Sequence, residues 1–553
     1  SSIASLFGLS LFRRTEKLHW AYDISTFVTT NALTCIITWI ATGWTHVFSA
    51  YAVFLVATVS LSKRLFRFDA WTQIRIIAGF VQVLLAPMWA ISIISRMEIS
   101  FLTKSLLGFG WLAGTLRLPF AFGTVWIEAL ALGRRIFTQP RAALPLCNPA
   151  DCPKVSVQIP CYSEPPTVVI QTLEAIKNAD YPADKLEILV VDNNTSDPAL
   201  WKPVEAWCAE VGGPQFRFFH VSPLRGAKPG AQNFALREMD GDLICCLDAD
   251  FCIDPDFLRR FVGFFADRKV GAVQSAPDFR DCNESAYMRL IYWLYMVTYR
   301  VDQPLRNEID SSFLVGSANL IRRTALEEVG GWAEWAVCED TELSMRLQGH
   351  GYQVLAIPTS FSTGMMPDNF DDLRQQWFRW YSGSYQQFRH NWRMLLPQRF
   401  GGCRMTPMQK YWEAYRIGQP MISAVVFVMQ LALALISAAV CIGHFEYVPL
   451  PRTVVLFVLC GVPSSLVLPW MYMRRAGAGI KELLSIMLVS TSLAHVHDVA
   501  MLKGAFSPRP PKWVRTSKFR SKAVRDIVDW VSSVGYEWIR GILTMLFCFV
   551  VCF

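Results

Sequence analysis

The chain has 553 residues, 52% hydrophobic, 13% aromatic and only 18% charged, against about 25% charged in an ordinary soluble protein; this excludes disorder and points to a membrane. The 53 Lys and Arg against 45 Asp and Glu leave a net charge of +8, which suits anionic lipid or phosphate but is too diluted over this length to indicate nucleic acid. Length alone suggests three or four globular units, yet apolar blocks gather at both ends, so one water-soluble domain is expected in the middle.

Four apolar stretches come first, at about 24–43, 46–62, 75–95 and 105–132, each near the roughly 20 residues that cross a bilayer. Arg13, Arg14 and Lys17, then Lys63, Arg64 and Arg67, then Arg134, Arg135 and Arg141 flank alternate ends, while 43–50 carries no Lys or Arg. The positive-inside bias then puts residue 150 in the cytosol. Arg117, inside the fourth stretch, either snorkels or faces a polar interior.

From Lys154 to about Leu396 the pattern becomes short β-branched runs alternating with charged helical segments, the mark of an α/β domain. Strands are expected at 155–159, 186–191, 216–221, 243–247 and 270–274, in a mostly parallel sheet with its ligand at the strand C-termini. Further apolar stretches follow at about 418–442 and 453–473. The segment 480–502 holds His495, His497 and Asp498 and fits one helix lying in the interface better than a span. A Pro-rich loop at 508–511 precedes a last apolar run, 538–553, so about seven spans are expected and the natural chain is expected to continue past Phe553. The expected domains are an N-terminal transmembrane region (1–145), a cytosolic catalytic domain (146–400), and interface and transmembrane helices (401–553) that include a loop at 504–520. The scattered cysteines lack the paired spacing of a zinc site and read as reduced thiols.

Five features of the middle domain carry chemistry. Asp192 follows the strand ending Val190-Val191, where a carboxylate can accept from a base or ribose, although Asp-Asn-Asn is also ordinary turn chemistry. In Leu247-Asp248-Ala249-Asp250, strand alternation points both carboxylates to one side, as a Mg2+ or Mn2+ diphosphate complex needs. Arg225 to Asn233 is a Gly-containing turn opening a helix, and Lys228 within it can reach phosphate oxygens or simply be solvated. Cys338-Glu339-Asp340 starts a helical pattern; its carboxylates either complement the helix dipole or include a general base for an acceptor hydroxyl. Gln376-Trp377-Phe378-Arg379-Trp380 offers indole faces for sugar rings and a guanidinium for diphosphate, or an interfacial aromatic belt.

In this order, Asp192, Asp248-Ala-Asp250, Glu339-Asp340 and Gln376-x-x-Arg379-Trp380 resemble the D, DxD, ED and QxxRW series of processive family 2 glycosyltransferases, the cellulose, chitin and hyaluronan synthase group. The resemblance implies an α/β GT-A domain inserted between N- and C-terminal α-helical transmembrane bundles. It further implies inverting transfer from a nucleotide sugar, and extrusion of the polymer through the attached helices. Asp192 to Trp201 and Gly330 to Trp335 look most like NdvB-type β-1,3-glucan synthases, which implies UDP-glucose as donor and a growing β-glucan as second partner.

By the same resemblance, Tyr162, Glu164, Asp192, Lys228, Asp248, Gln376 and Arg379 bind the nucleotide sugar, and Asp250 with Asp248 the metal. Asp340, beside Glu339, is the base; Trp380 and Ser317, in Phe313-Leu-Val-Gly-Ser317, face the acceptor. Trp513, Arg515, Thr516 and Lys518 resemble the gating loop, with Trp513 for Phe, Arg515 for Val and, elsewhere, Cys338 for Thr as departures. An integral protein of a plasma or bacterial inner membrane is implied, its catalytic domain cytosolic and in contact with membrane lipid. The competing enzyme readings are a cellulose-like β-1,4-glucan or other polysaccharide synthase and the transfer of one sugar to a lipid. The competing non-enzyme reading is a membrane scaffold, which would not need every polar position of the series filled.

Overall fold

The computed structural model describes residues 91, 94–114, 142–444 and 477–506. The chain divides into two compact units, Ser1–Thr138 with Ile422–Leu483 and Tyr536–Phe553, and Gln139–Met421 with Leu484–Gly535. In the first, Phe101–Gly114 is a helix without an acidic residue in its first turn or a basic one in its last. The chemistry lies in the second, which contains the expected catalytic stretch 146–400 and adds residues on both sides of it.

The second unit is built on a seven-stranded sheet in the order β3-β2-β1-β4-β8-β6-β9. Its strands are β1 Val155–Cys161, β2 Leu186–Asn193, β3 Phe216–Val221, β4 Leu243–Cys246, β6 Val270–Ser275, β8 Asn319–Arg322 and β9 Gln353–Ile357. Strands β1 and β2 are buried along their length except at Pro160 and Glu187, as expected of parallel strands covered on both faces. The pairs β1–β2, β2–β3, β1–β4 and β6–β9 are parallel. Strand β8 runs antiparallel to both β4 and β6. A small second sheet, β5 Cys252–Ile253, β10 Ser362–Gly364 and β7 Asp278–Phe279, forms in that spatial order.

The longer helices of this unit are α1 Pro166–Lys177, α2 Pro198–Trp207, α3 Ala227–Glu238, α4 Ala286–Val297, α5 Glu339–Gly349, α6 Phe370–Asn391, α7 Pro407–His444 and α8 Ile480–Ser492, which both run past its boundaries, and α9 Ala494–Phe506. Helix α1 buries Val169, Thr172, Leu173 and Ile176, one face at i, i+3, i+4 and i+7. On α3 the buried residues include Ala231 and Ala235, packed with Leu189 and Val191; methyl-sized side chains let this helix lie close to the sheet. Asn369 caps α6 by accepting the Asp372 N–H at 2.9 Å, the arrangement that satisfies an otherwise orphaned first-turn donor.

The five expected strands are present, within two residues at each end. Not expected were β8, which separates β6 from β4, and β9; both are short and follow turns rather than long apolar runs. The single interface helix expected at 480–502 is two helices meeting at Leu493. Ser492 turns its hydroxyl back onto Leu488 O at 2.9 Å, and such back-bonding bends helices.

The stretch 418–442 falls within α7, and among the described residues no helix is long and apolar enough to cross a membrane. The stretches 24–43, 46–62, 453–473 and 538–553, most of 75–95 and 105–132, Arg117, and residues 507–520 with Trp513, Arg515, Thr516 and Lys518 lie outside the described residues.

Leu320 at the centre of β8 is fully buried between β4 and β6. Leu320→Ala is expected to lose about 2–5 kcal/mol of unfolding free energy, the usual cost of a buried leucine cavity, read as a lower midpoint in chemical denaturation.

Candidate active site

Because β4 and β8 are antiparallel with Cys246 opposite Asn319, the residues leaving β4 and those entering β8 meet at one sheet edge. The C-termini of β1 and β2 reach that edge too, since Cys161 lies beside Asp192. There they line a cavity of about 540 Å3 with Tyr162, Glu164, Lys228, Asp248, Asp250, Glu339, Asp340, Gln376, Arg379 and Trp380.

Lys228 is the hub of this edge. Gly226 takes the left-handed conformation at φ +84°, where glycine pays no steric cost, and the chain turns there into α3 with Lys228 in its first turn. The turn is held from the end of β2, where Asn193 Nδ2 donates to Ala227 O at 2.7 Å and, just past the strand, Asn194 Nδ2 to Leu224 O at 2.7 Å. Lys228 Nζ lies 2.7 Å from Asp248 Oδ1 and 3.0 Å from Glu339 Oε1, and donates to Gly316 O at 3.1 Å. Burial opposes its charge, but Asp248 and Glu339 outweigh that, and its pKa is raised. The ammonium thus ties three separate segments of chain together.

Asp248 and Asp250 stand beyond the end of β4, in a turn in which Phe251 N–H donates to Asp248 O at 3.1 Å. Both line the cavity, but from a turn rather than from an extended strand, and they bond different partners. Asp248 goes to Lys228, while Asp250 Oδ2 accepts the Met365 N–H at 3.1 Å. Met365 is placed there because β10 pairs with β5 immediately after the turn.

Asp340 sits in the first turn of α5, where its Oδ1 accepts the Thr341 N–H at 2.7 Å. Burial and the neighbouring Glu339 charge push its pKa up to about 7, with Asp248 adding to the rise and Lys228 and the Thr341 N–H opposing it. The carboxyl therefore changes charge near neutrality, where a general base is most effective. Glu339, buried beside it, is engaged with Lys228.

On the opposite wall α6 presents Gln376, Arg379 and Trp380. Gln376 Oε1 accepts from Tyr295 OH at 2.5 Å, so this amide braces the wall. The Trp380 indole meets Tyr295 edge to face, with centroids 6.0 Å apart and planes at 89°, and meets Trp377 at 5.2 Å. A ring held on two sides offers a fixed apolar face of the kind on which a sugar can lie.

Two sequence candidates stand behind the cavity wall rather than in it. Asp192 is 3% exposed, accepts from Thr195 Oγ1 at 2.6 Å and meets His220 Nδ1 at 2.8 Å, and the wall at that strand end is Asn193 and Asn194. Ser317 is 1% exposed and accepts the Asp248 N–H at 2.9 Å, which makes it a support for Asp248. The lining also includes Gly316, from the Phe313–Ser317 loop, and Tyr295 and Tyr299, which no sequence motif had singled out. Tyr299 falls on a π turn, Thr298–Asp302, a feature common at functional sites but invisible to helical periodicity.

Asp248 and Asp250 are hard oxygen donors, the ligand type of Mg2+ and Mn2+. Gly316 keeps the space between carboxylates open, since a Cβ there would stand 3.2 Å from Asp340 Oδ2 and 4.0 Å from Asp248 Oδ2. Among the described residues no group of three or more His, Cys, Asp or Glu side chains could hold a cation alone. The two carboxylates are of a donor type that fits such an ion.

Residues 243–490 match the family described as Glycosyl transferase family group 2. The cellulose synthase catalytic subunit [UDP-forming] of Xanthomonas axonopodis is 31% identical over 266 residues, 46% of this chain and 35% of that protein. A probable glucomannan 4-beta-mannosyltransferase of Oryza sativa is 26% identical over 327 residues, 57% of this chain and 61% of that one. The matches therefore span less than two thirds of either relative's length. Among solved structures, a mannosyltransferase of Pyrobaculum calidifontis in complex with GDP-Man and Mn2+ aligns at a TM-score of 0.47 and 19% identity, over 74% of this chain and 99% of that chain. The matched stretch is similar to family 2 glycosyltransferases, and the unit that holds it has an α/β architecture with a mostly parallel sheet.

A base works only when ionised, so kcat/KM for sugar transfer is expected to rise with pH through an acidic limb near 7. Glu339→Gln removes a charge that raises the Asp340 pKa and should move that limb to lower pH; an unmoved limb would exclude Asp340 as its source.

Proposed function

We propose that this chain is a processive, inverting β-glucan synthase that polymerises glucose from UDP-glucose and passes the polymer across a plasma or bacterial inner membrane from a cytosolic catalytic domain. The observation that carries the reading is the grouping in one cavity of a carboxyl poised near neutrality, Asp340, a lysine–carboxylate cluster, and an indole platform, Trp380. The family match at 243–490 and the kinship with cellulose synthase add to it.

In this reading the donor diphosphate lies against Lys228 and Arg379, whose charges offset that of the departing UDP. Mg2+ or Mn2+, when bound, supplies further neutralisation of the diphosphate, and Asp250 with Asp248 would hold it. Trp380 holds the terminal sugar of the acceptor. Asp340 takes the proton from the acceptor hydroxyl as its oxygen bonds to the anomeric carbon, and the bond from that carbon to the diphosphate oxygen breaks on the opposite face. One displacement with one base inverts the anomeric centre. Tyr162 and Glu164 line the cavity at the end of β1 and are assigned to the nucleoside side, with Asp192 supporting that wall from behind.

The β-1,3 linkage rests on the NdvB-like segments Asp192 to Trp201 and Gly330 to Trp335. Apolar stretches at both ends support membrane attachment, and Trp513, Arg515, Thr516 and Lys518 are assigned to a loop that closes over the nucleotide.

The test is incorporation of labelled UDP-glucose into polymer by the purified protein with Mg2+ or Mn2+, followed by digestion with linkage-specific glucanases. Label released by the β-1,3 enzyme alone is expected; release by the β-1,4 enzyme would transfer the protein to cellulose-like synthesis. Label recovered in lipid would replace the polymer reading. Asp340→Asn should reduce transfer by about 10²–10⁴-fold, the range for a lost general base, with UDP binding retained. Trp380→Ala should shorten the product and raise the acceptor requirement while leaving donor binding unchanged.

A further inference from the structure

The turn that carries the base is gripped from behind by a buried polar chain with no part in the reading above. Gln387, on α6, is 1% exposed. Its Nε2 donates to Cys338 O at 3.1 Å and to Thr341 Oγ1 at 2.5 Å, so one amide spans the two residues that bracket Glu339 and Asp340. The adjacent Gln386 Oε1 accepts the Val337 N–H at 3.1 Å. Helix and turn are in close contact here, for a Cβ on Gly383 would stand 2.5 Å from Cys338 Sγ.

An amide could face this turn with either its oxygen or its nitrogen. Arg416 Nη2 decides which, by donating to Gln387 Oε1 at 2.8 Å. A guanidinium has donors only and keeps its charge at any working pH. It therefore holds the amide oxygen on its own side and the amide nitrogen against the turn. Arg416 is in turn paired with Glu413 Oε2 at 2.7 Å, and Glu413 is 1% exposed, so the buried cation is compensated. Gln387 lies seven residues beyond Trp380, about two helical turns along the same face. The base-bearing turn and the indole platform are thus referred to one helix.

We propose that Gln387, oriented by Arg416 and Glu413, is a positioning residue that sets the Asp340 carboxyl at its working distance from an acceptor held on Trp380. This rests on the reading of Asp340 as the base. The chain Glu413–Arg416–Gln387 acts only through the turn and touches neither donor nor acceptor.

The experiment compares Gln387→Leu and Gln387→Glu with Asn391→Ala. Asn391 is on the same helix and donates to Glu342 at 3.1 Å, so its loss disturbs docking of α6 without touching the turn. Gln387→Glu keeps the size and the Arg416 contact, but once ionised has no donor for Cys338 O. Both Gln387 variants should lower kcat by about 10–100-fold, the range for loss of groups that orient an active residue, with donor KM within about twofold. Amide hydrogen exchange in 337–341 should quicken in both, and Asn391→Ala, whose partner Glu342 lies beyond that stretch, should match the wild type in kcat and in exchange there. Wild-type kcat in Gln387→Glu overturns the proposal, and so does a fall in kcat matched by a rise in donor KM and a lowered unfolding midpoint. If the wild type transfers no sugar, the functional reading fails instead, and the exchange rates alone decide whether Gln387 holds the turn; unchanged exchange then refutes it.

Discussion

A buried ammonium among carboxylates is the constraint on which the site depends. Lys228 bonds Asp248 from the end of β4, Glu339 from the start of α5 and Gly316 O from the approach to β8. Each segment carries a backbone conformation that does not hold itself: a turn, a helix start and a glycine at φ +90°. Two carboxylates near a third, Asp340, would repel one another in so sheltered a place, and the lysine makes their approach tolerable. The same crowding, added to burial, leaves Asp340 with its proton loosely assigned near neutral pH.

That cluster forms because of how the sheet is wired. Parallel strands β1, β2 and β4 deliver their C-termini to one edge, the usual place for a ligand in such sheets. The antiparallel strand β8 adds its N-terminal side to the same edge, bringing Val315 and Gly316 into the lining and Ser317 beneath it. The small sheet β5-β10-β7 then carries the Met365 amide back to Asp250. Helix α6 closes the opposite wall and is held on its far side by α9, where Tyr381 meets His497 at 4.4 Å and Lys503 lies over Phe378 at 5.7 Å. The charged cluster around Lys228 and the aromatic surface of α6 are consequently parts of one packed unit.

Much of this was legible in the sequence because it rests on local patterns. The strands ending before Asp192 and Asp248 announce themselves as β-branched runs, and Gly226 before Lys228 marks a helix start. Charged residues placed at such ends have few roles to choose from. Less legible was which way each side chain turns. Asp192 reads as a cavity carboxylate, yet Thr195, three residues on, and His220, from the neighbouring strand, capture both of its oxygens. Asp248 and Asp250 read as the end of an extended strand, yet they face the cavity from a turn and bond different partners. Gln387, Arg416 and Glu413 carry no motif, and nothing in their spacing links them to Cys338.

By itself the sequence determined the α/β character of the middle of the chain, the strand ends at which chemistry could sit, and the short set of residues able to perform it, because burial periodicity and turn chemistry act over a few residues. Only the tertiary structure decided the antiparallel insertion of β8, the capture of Asp192, the bracing of Gln376 by Tyr295, and the raised pKa of Asp340. Each of these depends at least in part on burial or on partners about 30 to 90 residues away in the chain, whose approach is set by packing of whole elements, and no local pattern encodes that.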